Sequence, residues 1–147
     1  MIGLMVLRPG LPGVALAACV MFASPALAET ISFKADLKAS EEVPANDSKG
    51  TGTVTATYDS ASKKLTWKGN YSGLTGPATM AHFHGPAEPG KNAGVAVPIT
   101  PSASPFENSA NLTDAQAADL LAGRWYVNVH TAAHPGGEIR GQLVKGM

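Results

Sequence analysis

Apolar and polar positions alternate along most of this chain, with the period of two that marks strands having one buried face. Ile31-Ser32-Phe33-Lys34-Ala35-Asp36-Leu37 is the first such run. Residues 51–58 and 64–71 follow as two arms of a hairpin joined through Asp59-Ser60-Ala61-Ser62, with Leu65, Trp67, Gly69 and Tyr71 on the core side. Further strands are expected at 79–84, 94–100, 125–131 and 138–144. Pro98 confines the second of these to an edge or a strand end, because proline has no N–H to give a ladder. Residues 41–49 and 72–77 read as loop and turn, and 101–111 as irregular. One helix is expected at about 113–122, opened by the capping box Thr113-Asp114-Ala115-Gln116 and ending near Gly123. Many short strands, frequent turns and one helical insert define an all-β class: an antiparallel Greek-key β-sandwich or barrel in a single domain.

The N-terminus changes the picture. Arg8 is the only charge before Glu29, residues 11–22 are apolar, and Ala26 and Ala28 occupy the small-residue positions of a cleavage site. Residues 1–28 are therefore expected to be a secretory signal peptide cleaved after Ala28, leaving a β-sandwich domain at 29–147 in the periplasm or outside the cell. A second reading takes Leu16-Ala17-Ala18-Cys19 as a lipoprotein box. Cys19 is the one cysteine of the chain, so the exported domain has no disulfide. Its fold must rest on core packing, hydrogen bonds and any metal it holds. Eleven basic against eleven acidic residues give no charge excess to attract nucleic acid or an anionic membrane.

Histidine is the informative residue type. Four are present, two in Met80-Ala81-His82-Phe83-His84 and two at His130 and His134. His82 and His84 are two apart on a strand and project from one face, with Ala81 and Phe83 turned into the core. On the late strand, buried Val127 and Val129 would turn Asn128 and His130 the other way. If the two strands are neighbours, His82, His84 and His130 form a three-imidazole set suited to copper or zinc, with His134 a fourth candidate brought back by a turn. Met80, on the face of His82, could add a soft thioether that favours Cu(I). The plainer alternatives are a backbone-bonded His130, solvated His82 and His84, a loop-surface His134 and a packing role for Met80. Glu138 and Arg140 also share a face, as an ion pair or with Glu138 bracing a ligating histidine. No Gly-x-Ser-x-Gly elbow, phosphate-cradling loop or paired-carboxylate signature is present.

Leu37-Lys38-Ala39-Ser40-Glu41-Glu42-Val43-Pro44, Ala81-His82-Phe83-His84-Gly85-Pro86-Ala87, and Tyr126-Val127-Asn128-Val129-His130-Thr131 followed by Pro135-Gly136-Gly137-Glu138-Ile139-Arg140-Gly141-Gln142 together resemble a CHRD domain, the module named after chordin. The resemblance runs from about residue 30 to 144 and implies an exported β-sandwich, often standing alone in bacterial proteins. His82, His84 and His130 are also similar in placement to the copper histidines of Cu/Zn superoxide dismutase. That family further uses a bridging histidine, zinc ligands and a disulfide, which four histidines and no exported cysteine do not supply. Three functions stay open: metal binding or carriage, copper first and zinc second; a metal-free extracellular protein-binding module; and a copper-only dismutase. Binding rather than turnover is the leading expectation.

Overall fold

Nine antiparallel strands carry the alternating pattern in a computed structural model that describes residues 27–146. The expected signal peptide, and Cys19 within it, falls almost wholly on residues 1–26 and lies outside the described residues. The strands are β1 (Thr30–Lys38), β2 (Thr51–Asp59), β3 (Lys64–Ser72), β4 (Ala78–His84), β5 (Val95–Pro98), β6 (Phe106–Asn111), β7 (Tyr126–Thr131), β8 (Ile139–Gln142) and β9 (Val144–Lys145). They hydrogen-bond in the order β5-β4-β7-β8-β1-β2-β3-β6, with β9 added on β1.

The link between β8 and β1 is a single pair, Lys38 with Arg140, so the sheet bends there into two layers. Trp67 of β3 meets Phe83 of β4 edge-on across the interior, ring centroids 5.1 Å apart, and Phe83 also packs on Trp125. Asn108 of β6 donates to the carbonyl of Thr100, just beyond β5, which draws the two outer edges together. The result is a nearly closed all-β sandwich. Its core takes alternate residues from both layers, among them Phe33, Leu37, Val54, Leu65, Trp67, Phe83, Val127 and Val129.

The helix α1 (Asp114–Leu121) starts where the capping box places it: Thr113 Oγ1 accepts from the Gln116 N–H, and the Gln116 side chain accepts from the Thr113 N–H. Gly123, at φ +75°, ends it. As expected from Pro98, β5 is an edge strand.

Two expectations need correction. Residues 106–111, expected to be irregular, form β6. Its Glu-Asn-Ser-Ala-Asn composition hides a strand that pairs with β3 along its whole length, anchored where Phe106 lies opposite Gly69 and fills the space that a side chain on Gly69 would need. The final strand, expected as one piece, breaks at Leu143. Before the break β8 pairs with β7, and after it β9 pairs with β1.

Gly141 sits where β8 passes closest to β1, and a Cβ there would overlap the Asp36 carbonyl oxygen, a backbone atom with little room to yield. Gly141→Ala is therefore expected to cost about 1–3 kcal/mol of stability, as overpacking does. The readout is a lower urea midpoint at unchanged slope; an unchanged midpoint would mean that β8 can move away from β1 freely.

Candidate metal centre

β7 is buried on both faces, which is unusual for a strand of a two-layer sandwich. Val127 and Val129 point into the apolar core, while Tyr126, Asn128 and His130 point away from it and are nevertheless buried. The cover consists of two loops. Residues 85–94 are held by Arg140, which donates to Asn92 Oδ1 (2.9 Å) and to the Lys91 carbonyl (2.5 Å), and by the Tyr126 hydroxyl against Ala93. The segment after β1 joins this loop where Asn92 Nδ2 donates to the Val43 carbonyl, 3.0 Å.

Under this cover, the register of β4 against β7 sets three rows of side chains on one face: Met80 opposite His130, His82 opposite Asn128, and His84 opposite Tyr126. Residues opposite each other in an antiparallel pair share a face, and diagonal neighbours lie within reach of long side chains. The imidazoles of His82 and His130 accordingly meet on the diagonal, centroids 5.0 Å apart, and His84 lies 5.3 Å from His82. One ring nitrogen from each of His82, His84 and His130 falls within 4.8 Å of the other two. Among the described residues this is the one such group of three His, Cys, Asp or Glu side chains.

Backbone carbonyls orient two of the rings. His84 Nδ1 is 3.0 Å from the Ala93 carbonyl, and His130 Nδ1 is 2.9 Å from the Pro135 carbonyl. A carbonyl only accepts, so each Nδ1 carries the proton and each Nε2 is left as an acceptor, that of His130 facing His82 Nδ1. His84 Nε2 is buried and has no hydrogen-bond partner. A buried nitrogen left unpaired costs about 1–3 kcal/mol, and the Asn128 side chain, which favours the charged ring, is the neighbouring polar group. His82 Nδ1 stands 3.2 Å from His130 Nε2. Two nitrogens bound at about 2.0–2.1 Å around a tetrahedral ion stand about 3.3–3.4 Å apart, so that pair already has the spacing of a coordination edge.

Burial disfavours the charged form of His82 and His84. Burial pushes the His82 pKa down, and the neighbouring His130 and His84 add to the effect. Burial also lowers that of His84, against the Ala93 carbonyl and the Asn128 side chain, which favour the charged ring. The Tyr126 ring stacks on His84 at 4.8 Å and 4°, and the Arg140 guanidinium lies 3.5 Å over the other partner in this stack, Tyr126. That stack fixes the plane of the His84 ring.

His134 stands outside the three-ring group. Its backbone closes the turn after β7, with its N–H donating to the Thr131 carbonyl and its own carbonyl accepting from Gly137 N–H. Its half-buried side chain lines a shallow cavity beside Val43, Pro44 and Gly136. Met80 is 47% exposed. Glu138 neither pairs with Arg140 nor touches a histidine. It is fully buried and accepts from Ser48 Oγ (2.6 Å), Thr75 N–H and Oγ1 (2.8 Å each) and Thr131 Oγ1 (2.5 Å). Burial alone would raise its pKa, but those donors outweigh it and hold the carboxyl at about 2.

Sequence reasoning passed over Glu42, which is buried beside Asn128 and Arg140. Burial lifts its carboxyl to about 7, although the Arg140 charge, the Asn128 amide and the Val43 N–H pull the other way. A Cβ on Gly137, itself at φ +127°, would overlap the Glu42 carboxylate, so this turn must be glycine for both reasons. Tyr126 and Asn128 were legible as i−4 and i−2 from His130, the same strand face. Glu42 carried no such signal, because a loop brings it in.

Fold and site together define an all-β domain whose outer face carries a covered three-histidine cluster. The CHRD domain family model matches residues 33–143, and the chain belongs to that family. No curated protein and no solved structure matches it. No helix among the described residues is long and apolar enough to cross a membrane.

Because the folded pKa of Glu138 lies below the ordinary glutamate value of 4.5, its carboxylate stabilises the fold above about pH 4.5, and the gain is lost as pH falls toward 2. Glu138→Gln is expected to cost about 2–3 kcal/mol near neutral pH. Urea titrations should show the gap from the native protein narrowing between pH 4.5 and pH 2. A gap independent of pH would mean that the donors from Ser48, Thr75 and Thr131 do not favour the charged form.

Proposed function

We propose that this CHRD-domain chain is exported to the periplasm or beyond, and that it binds a transition metal, copper in the first place, through His82, His84 and His130. The observation that carries the reading is the buried, unpartnered Nε2 of His84, turned out by its Nδ1 bond to Ala93 and grouped with a nitrogen from each of His82 and His130. Three neutral imidazoles with room for a further ligand suit copper or zinc. Copper ranks above zinc because a site of nitrogen donors binds Cu(II) more tightly than Zn(II) in the Irving–Williams order. The role we assign to it is binding or carriage between extracytoplasmic partners.

Calorimetry or a thermal melt tests this. At a free-metal concentration about 100 times Kd, binding to the folded state adds about 2.7 kcal/mol, a rise in Tm on the order of 10 °C for a domain of this size. His84→Ala should remove most of that rise. Protons compete for the same lone pairs, so affinity should fall as pH drops below about 6. Identical melts with and without Cu(I), Cu(II) and Zn(II) would leave a metal-free binding module as the reading.

A further inference from the structure

Met80 is one of few large apolar side chains left exposed among the described residues, and its position has a counterpart in the cluster. Its Cα pairs directly with that of His130, and His82 follows two residues later on the same face of β4. Directly opposed residues have Cβ atoms about 4.5–5.5 Å apart, and the methionine side chain has three rotatable bonds with which to cover that gap. Met80 is also the last residue of β4 in regular register before a bulge toward Ala78. Bulges recur beside functional sites, where they re-aim a side chain. An open cavity of about 400 Å³, lined by Met80, His82, Pro98, Ile99 and Ser102, lies on this side of the cluster. On the opposite side, His84 is closed in by Tyr126 and Ala93. Met80 and His82 therefore share an open cavity at this end of the cluster.

We infer that Met80 supplies a fourth, thioether ligand on the open side of the centre, and that it makes the site selective for Cu(I). This rests on the three-histidine metal reading and deepens it. Thioether sulfur is a soft donor that Cu(I) accepts and that adds little for Zn(II) or Cu(II), for which imidazole suffices. The three histidines hold any of these ions; the sulfur discriminates among them. An exposed, flexible ligand is also the one that can be exchanged first when the ion passes to a partner.

The test compares the native protein with Met80→Leu, a change that keeps volume and apolarity at an exposed position. Cu(I) affinity is measured anaerobically by competition with bicinchoninate, and Zn(II) and Cu(II) affinities by competition with chromophoric chelators. Met80→Leu should weaken Cu(I) by about tenfold or more and leave Zn(II) and Cu(II) within about twofold. X-ray absorption of the Cu(I)-loaded native protein should show a sulfur scatterer that the variant lacks. Equal Cu(I) affinity in the two proteins, or equal losses for all three ions, overturns the inference and leaves the three-histidine centre standing. Native protein that binds none of the ions sinks the centre itself, a distinct result.

Discussion

The pairing register of β4 on β7 is the constraint on which the rest of this structure depends. It places Ala81, Phe83, Val127 and Val129 in the apolar interior, and it sets His82, His84 and His130 together on the opposite face. A slip of one residue would exchange the two sets at a stroke, exposing Phe83 and burying imidazoles among hydrocarbon. Burial of Phe83 against Trp67 and Trp125 therefore does more than stabilise the fold. The hydrophobic effect selects the register, and the register assembles the site. Core and cluster are two faces of the same pair of strands.

Cover by loops turns this cluster from surface histidines into a defined site. Arg140 is the organiser. Its guanidinium is almost wholly buried, binds the 85–94 loop through Lys91 and Asn92, and lies on the Tyr126 ring that stacks on His84. That loop then presents the Ala93 carbonyl that sets the His84 tautomer. Glu138, one residue before Ile139 at the start of β8, ties the 48, 75 and 131 segments at the other end of the face. A buried cation and a buried anion two residues apart thus avoid each other and serve different loops. Glu138 is satisfied by neutral donors, while Arg140 has loop acceptors and the Glu42 carboxyl beside it, so neither needs the other's charge.

Much of this was legible in the sequence. Alternation located most strands and the split between Phe83 and the two flanking histidines, and the capping box located the helix. Where reading failed, the missing information was tertiary. β6 pairs along its length with β3, with Phe106 fitted over Gly69, a complementarity that no local pattern displays. The grouping of His82, His84 and His130 was legible because two of them are two apart and the third lies on a strand of buried valines. Glu42, and the carbonyls of Ala93 and Pro135 that choose the tautomers, come from loops whose path depends on the fold they cover. The Glu138–Arg140 spacing suggested a pair, but a shared face is not a shared partner.

Convergence of three imidazole nitrogens on one ion is the central claim, and anomalous diffraction from crystals grown with copper or zinc tests it most directly. The account predicts a single metal peak at about 2.0–2.1 Å from a ring nitrogen of each of His82, His84 and His130, with the Nδ1 bonds to Ala93 and Pro135 intact. A peak that engages other residues instead, or no peak at saturating metal, would contradict it.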